Sequence, residues 1–264
     1  MGEDLFDEEG AVLVHAFFQN HLKHVDGFIP SNGFDAVVIS QKNRGDSMKK
    51  LLTIAFLCLS LFAFARDVFL ETLKLAEQGD ADAQYTIGLQ YRSGKMGVPQ
   101  RNKEAMKWFL KAAEQGNPKA QNTLGEMYGY GFRGGVSQDE KEALKWYLKS
   151  AEQGNAKAQC SLGGMFADGK GVPKDYGEAV KWYLKAAENG DAIALFNIGI
   201  MLEEGQVVPK NNLQAYFWFC CVKGDLIYND MAADHKNRLE MEMTPSQIEE
   251  GQRLARIWLA KHPQ

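Results

Sequence analysis

Residues Ala156 to Gly190 read AKAQCSLGGMFADGKGVPKDYGEAVKWYLKAAENG, and two helices are written into them. The first carries Ala158, Leu162 and Gly163 at spacings that share one helical face, and it stops at Gly169. A loop containing Gly171-Val172-Pro173 follows. The second helix carries Ala179, Trp182 and Ala186, three and four residues apart, as one apolar stripe. Small residues at fixed places let the two helices approach closely, and the Trp is expected to fill the space they leave.

Reading outward in both directions, the same pattern recurs. LAEQG ends at Gly79, AAEQG at Gly116, SAEQG at Gly154, AAENG at Gly190 and the degraded CCVKG at Gly224, at intervals of 37, 38, 36 and 34 residues. A period in this range, sustained over four intervals, marks an array of repeats in which each unit packs on its neighbours. The predicted fold is all-α: a solenoid of antiparallel helix pairs, with repeats at 80–116, 117–154, 155–190 and 191–224. Both ends of such an array need closing. A helix over 66–79 supplies half a repeat at one end. At the other, 225–264 is expected to form capping helices, with Asp230 to Met241 helical and Thr244-Pro245-Ser246-Gln247 launching a last helix. Ile248, Leu254, Ile257 and Trp258 would pack back on the fourth repeat.

The succession Ala-x-x-x-Leu/Ile-Gly, Gly-Val-Pro and Ala-x-x-Trp-x-x-x-Ala-Ala-x-x-Gly resembles the Sel-1-like repeat family, relatives of the tetratricopeptide repeats. The resemblance covers about Asp67 to Lys223. It departs locally at Phe132 to Val136 and Ser150 in repeat two, and at Cys220 and Val222 in repeat four. It implies that the first helices line a concave groove that binds a protein or peptide.

Turning half way round each first helix from its core residues gives the groove candidates. These are Tyr85, Leu89 and Arg92 in repeat one; Asn122, Glu126 and Tyr130 in repeat two; Cys160 and Asp168 in repeat three; and Ile193, Phe196, Ile200 and Glu203 in repeat four. Ile193, Phe196 and Ile200 would form an apolar docking patch above carboxylates, so that Phe196→Asp weakens binding and spares folding. The alternative is that the C-terminal helices cover these residues as core.

Upstream, Leu51 to Ala65 (LLTIAFLCLSLFAFA) follows Met48-Lys49-Lys50 and closes with Ala63-Phe64-Ala65, the layout of a secretory signal peptide with cleavage expected after Ala65. It is shorter than the roughly 20 apolar residues of a transmembrane helix, and no stable membrane insertion is expected after cleavage. The expected location is therefore periplasmic or secreted. Residues 1–47 read as an upstream extension with Met48 as the start. The alternative is a genuine N-terminal segment with 51–65 as an uncleaved anchor.

Composition fits a globular chain, with 45% hydrophobic and 24% charged residues among 264. The net charge is −4, and setting aside the 5 basic and 8 acidic residues of the first 65 from totals of 30 and 34 leaves 25 against 26. No basic footprint for nucleic acid exists. Three cysteines remain after the leader, Cys160, Cys220 and Cys221, which argues against a disulfide scaffold. No nucleophile elbow, phosphate loop or zinc signature is found, and no cofactor or metal site is expected. Some cysteine-rich relatives are described as penicillin-binding or β-lactamase proteins. Here Lys-Thr-Gly and Ser-Asp-Asn are absent, and the one Ser-x-x-Lys, Ser47 to Lys50, lies at the leader. The expected function is a non-enzymatic, monomeric interaction module. The alternatives are an immunity protein that inhibits an envelope-targeted enzyme and, behind it, a β-lactamase-like enzyme.

Overall fold

The computed structural model describes residues 64–94, 98–132 and 136–262. The extension 1–47 and all but the end of the leader lie outside the described residues. Eleven helices are found among the described residues. The first, α1, is described over 64–77. Four pairs follow: α2 Ala81–Ser93 with α3 Asn102–Glu114, α4 Pro118–Tyr130 with α5 Glu140–Glu152, α6 Ala156–Asp168 with α7 Tyr176–Glu188, and α8 Ala192–Glu203 with α9 Asn212–Cys221. Two more close the chain, α10 Leu226–Glu240 and α11 Pro245–Lys261. From α2 to α10 each helix packs on the next, and α1 meets α2 through Ala76 against Ala83 and Ile87, which is the expected solenoid.

The joint between repeats is the Ala-Glu-Gln-Gly-Asn type of sequence that marks the period. At Gly154 the chain turns with φ +84°, and nothing stands within 4 Å of where a Cβ would be, so glycine serves the backbone conformation here and not space. Asn155 then caps α6, its side chain accepting from the Ala158 amide at 3.2 Å. Asp80, Asn117, Asp191 and Asp225 cap α2, α4, α8 and α10 in the same way.

Inside each repeat a second glycine has the opposite duty. A Cβ on Gly163 would lie 2.5 Å from the Tyr183 ring, and Gly88, Gly125 and Gly199 meet Phe109, Tyr147 and Phe219 equally closely. The aromatic that fills the gap is thus the residue after the Trp, which corrects the expectation that the Trp itself does so. Turned by one helical position, the Trp reaches back to the preceding repeat. Trp146 of α5 is buried in the cluster of Ala105, Phe109 and Ala112 of α3, and Trp182 of α7 packs against that of Ala143, Tyr147 and Ala151 of α5. Lys111, Lys149 and Lys185 lie over the Trp rings at 4.3, 4.5 and 4.1 Å. Successive first helices (α4 with α6, α6 with α8, α8 with α10) come closer to one another than successive second helices do, which puts the first helices on the inside of the curve.

A buried amide relay, which the sequence reading missed, ties the repeats together. Gln84, Gln121 and Gln159 donate to the Ala76, Ala113 and Ala151 carbonyls at 3.0, 3.0 and 3.1 Å. Their own oxygens accept from Gln115, Gln153 and Asn189 at 2.7, 2.7 and 3.2 Å. Ser150, the small-residue departure in repeat two, is fully buried and donates to the Pro118 carbonyl at 2.6 Å. In repeat four Leu195 takes the glutamine position and the relay ends in apolar core.

The C-terminal helix starts with the expected capping box, Thr244 with Gln247, and Pro245 in the first turn. It packs on α9, with Gly251 against the Tyr216 ring and Trp258 edge-on to Trp218 at 5.6 Å. Ile248 and Trp258 join the core as expected, whereas Ile257 faces outward and is exposed.

Neighbouring glycines on α6 separate the two kinds of glycine effect. Gly163→Ala is expected to destabilise by about 1–3 kcal/mol through overpacking against Tyr183. Gly164→Ala, whose Cβ would meet only the Tyr183 hydroxyl at 3.5 Å, is expected to stabilise by up to about 1 kcal/mol through helix propensity. Denaturant melts of the two variants check this. Trp146→Ala is expected to cost about 3–5 kcal/mol by the large-to-small rule, read in the same assay.

Candidate interaction surface

A first helix inside a solenoid is packed on three sides, by its own second helix and by the first helices before and after it. Only a narrow stripe stays open. It runs through the residues two, six, nine and thirteen places after each N-cap: Asp82, Thr86, Leu89 and Ser93 on α2; Lys119, Glu126 and Tyr130 on α4, where Thr123 at the sixth place is buried; Lys157, Ser161, Gly164 and Asp168 on α6; Ile193, Asn197, Ile200 and Glu204 at α8. Of the candidate residues, Leu89, Glu126, Tyr130, Asp168, Ile193 and Ile200 lie on it. Tyr130 is 85% exposed, Asp168 pairs with Lys170 at 2.7 Å, and Ile193 is 37% exposed.

The other six candidates are turned toward neighbouring helices, and the half-turn reading is corrected for them. Phe196 is 5% exposed, with the rings of Phe219, Tyr228 and His235 at 5.5, 5.4 and 5.4 Å, so repeat four does not offer it to a partner. The reason is α10, which covers it in the place a following first helix would take. Asn122 is buried and donates to Glu126 at 2.9 Å. Burial, with Asp191 beside it, pushes the Cys160 thiol well above its ordinary range. Tyr85 is half-buried 5.8 Å from the Phe109 ring, over which Arg92 also lies at 5.6 Å. Glu203 is drawn to His235 at 2.5 Å and to Arg238 at 3.7 Å, a tie between α8 and α10. His235, which reads as an isolated residue in the sequence, is part of that tie.

The stripe continues where the sequence reading stopped. Gly224-Asp225 repeats Gly190-Asp191, and α10 accordingly presents Ile227, Met231, Asp234 and Arg238 at the stripe positions. Met231, Asp234 and Arg238 line a shallow open depression with His235. That glycine–aspartate pair was the available signal for extending the array by one helix.

Among the described residues no group of three or more His, Cys, Asp or Glu could hold a metal ion, and no helix is long and apolar enough to cross a membrane. Cys160, Cys220 and Cys221 are free, and burial pushes the Cys221 thiol up to about 12.

Known proteins place this architecture. The Sel1 repeat sequence model matches residues 81–117, 118–155, 156–191 and 192–221. The chain belongs to the Sel1 repeat family. A protective antigen of uropathogenic Escherichia coli strains with the same repeat fold superimposes with a TM-score of 0.66 at 32% identity, covering 74% of this chain and 41% of that protein. The chain thus spans about two fifths of that relative. A Sel1 repeat protein from Oxalobacter formigenes gives a TM-score of 0.54 at 37% identity, covering 63% of this chain and 74% of the other. An immunity protein from Pseudomonas aeruginosa matches at 17% identity with a TM-score of 0.32, over 68% of this chain and 81% of the other. No curated protein matches the chain. Sel1 repeats are helical scaffolds for protein–protein interaction and are generally non-enzymatic.

Phe196→Asp now carries the reverse expectation. It places a charge in apolar core and should cost at least the about 3–5 kcal/mol of a buried Phe truncation, seen as a lowered melting temperature. The thiols give a second check. At pH 8 the raised thiol pKa values leave little thiolate, so Cys160 and Cys221 should resist iodoacetamide in the native protein and react once it is denatured, as mapped by mass spectrometry.

Proposed function

We propose that this protein is an exported, non-enzymatic module that holds a protein or peptide partner on the open stripe of its first helices. The observation that carries the reading is a contrast along the array. Packing positions repeat from unit to unit, with Ala83, Ala120, Ala158 and Ala194 all buried and a glycine under an aromatic ring each time. The stripe varies: its second-residue position is Asp82, then Lys119 and Lys157, then Ile193, and its ninth is Leu89, Glu126, Gly164 and Ile200. Packing would be served by any polar residue there, so the differences are available for recognising one partner.

Export rests on the leader at 48–65, and the three cysteines that remain after it, Cys160 and Cys220 partly buried and Cys221 buried, are shielded thiols that suit an oxidising compartment. The protein is taken to act as a monomer, with the curved face free.

Affinity capture on the purified protein tests the binding face. The Glu126→Ala, Tyr130→Ala double variant should lose the partner that the parent retains, while Lys141→Glu on the second-helix side keeps it. Equal loss from both variants would remove the stripe from the reading. For export, mass spectrometry of the protein from cell fractions should find Arg66 as the first residue in the envelope or medium. An intact leader there would overturn the cleavage.

A further inference from the structure

We infer that the C-terminal end of the stripe is a docking surface for a basic amphipathic helix of a partner protein, formed by Ile193 of α8 and Ile227 and Met231 of α10, with Asp230 and Asp234 beside them. This rests on the interaction reading above and names the partner's chemistry.

The terminal unit of a solenoid normally turns a polar outer face to water. The last helix nearly does so: Glu249, Gln252, Arg253 and Arg256 of α11 are all exposed, with Ile257 its one large apolar residue left outside. By contrast α10 exposes Leu226 and Ile227 at 84% and 69%, with Met231 also open. Ile227, Asp230, Met231 and Asp234 fall at i, i+3, i+4 and i+7, one face of the helix. That face lies beside exposed Ile193, because α10 stacks on α8 as a further first helix would. Capping requires none of these apolar side chains outside.

Charge selects the occupant. Asp230 and Asp234 are exposed and take part in no ion pair among the described residues, whereas Arg238 is held near Glu203 and Glu204 adds a further exposed carboxylate. An apolar centre with an acidic border is complementary to apolar residues flanked by lysine or arginine. Geometry selects a helix. Two neighbouring helices roughly 8–10 Å apart leave a shallow furrow between their side-chain ridges, which the ridge of a third helix fills. The described residues offer no β-strand to extend, only the single bridge between Phe132 and Val136.

The test uses two synthetic peptides with leucine at i, i+3, i+4 and i+7 and either lysine or glutamate elsewhere, titrated against the purified protein by fluorescence anisotropy. The lysine peptide should bind and the glutamate peptide should not. Ile227→Ser with Met231→Ser should weaken binding at least tenfold. Asp230→Asn with Asp234→Asn should weaken it several-fold and flatten its salt dependence. Both double variants should melt with the parent; a large drop in melting temperature would show these side chains to be core and overturn the inference. Equal binding of both peptides, or indifference to both variants, would overturn it too. So would self-association in sedimentation that Ile227→Ser abolishes, since a second copy would then be the occupant. Loss of partner capture by the Glu126, Tyr130 variant alongside any of these results leaves the broader reading standing and removes this one alone.

Discussion

One missing atom per repeat holds the architecture together. At Gly88, Gly125, Gly163 and Gly199 an aromatic ring from the second helix lies where a Cβ would otherwise stand, within 2.5 to 2.6 Å of it. The ring face therefore rests on helix backbone, and the two helices of a pair approach more closely than side chains on both would permit. A ring in such a place has little freedom to move, so it fixes the rotation of one helix against the other. Rotation decides which residues point outward, so the stripe follows from this contact.

Larger groups act between repeats. The Trp of each second helix reaches into the preceding unit and spaces the second helices, while the first helices come closer together. Bulk on the second-helix side bends the stack toward the first helices. The glutamine relay adds specificity to this arrangement. A buried amide with one end unpaired costs about 1–3 kcal/mol, so each Gln favours the register in which the preceding carbonyl and the following amide both meet it. Where the array ends, Leu195 stands at the glutamine position and Lys223 at that of its amide partner, and apolar contacts replace the relay.

The fold was legible because its determinants are local and repeated: the joint at Gly-Asn or Gly-Asp, the alanines, the Gly under an aromatic, and the Trp. The stripe was less so. Knowing that Gln84, Ile87 and Gly88 face inward does not say how far the adjoining helices wrap around the sides, and that wrapping buried Asn122 and Phe196 and half-buried Tyr85. A period-based reading sees one helix, whereas burial is set by its two neighbours in the stack. Assignment of Phe196 to the groove failed for that reason. The Trp was given the wrong gap because Trp182 and Tyr183 are adjacent, and only their geometry shows which one meets Gly163.

The C-terminal end shows how a repeat array can stop packing without ceasing to present a surface. Leu195, Phe196 and Ile198 make the fourth first helix more apolar than its predecessors, and α10 is held against it by Phe196 with Tyr228 and by Glu203 with His235. The following helix does not complete a fifth repeat; it turns back on α9, using Gly251 against Tyr216 to make a close contact of the kind seen inside each repeat. The last second helix is thereby covered, and the open face of α10 is left outside the cap. Closing the core and extending the stripe are separate tasks, performed by α11 and α10 respectively. The mostly polar exterior of the first, with Ile257 alone outside, and the exposed Leu226, Ile227 and Met231 of the second match that division.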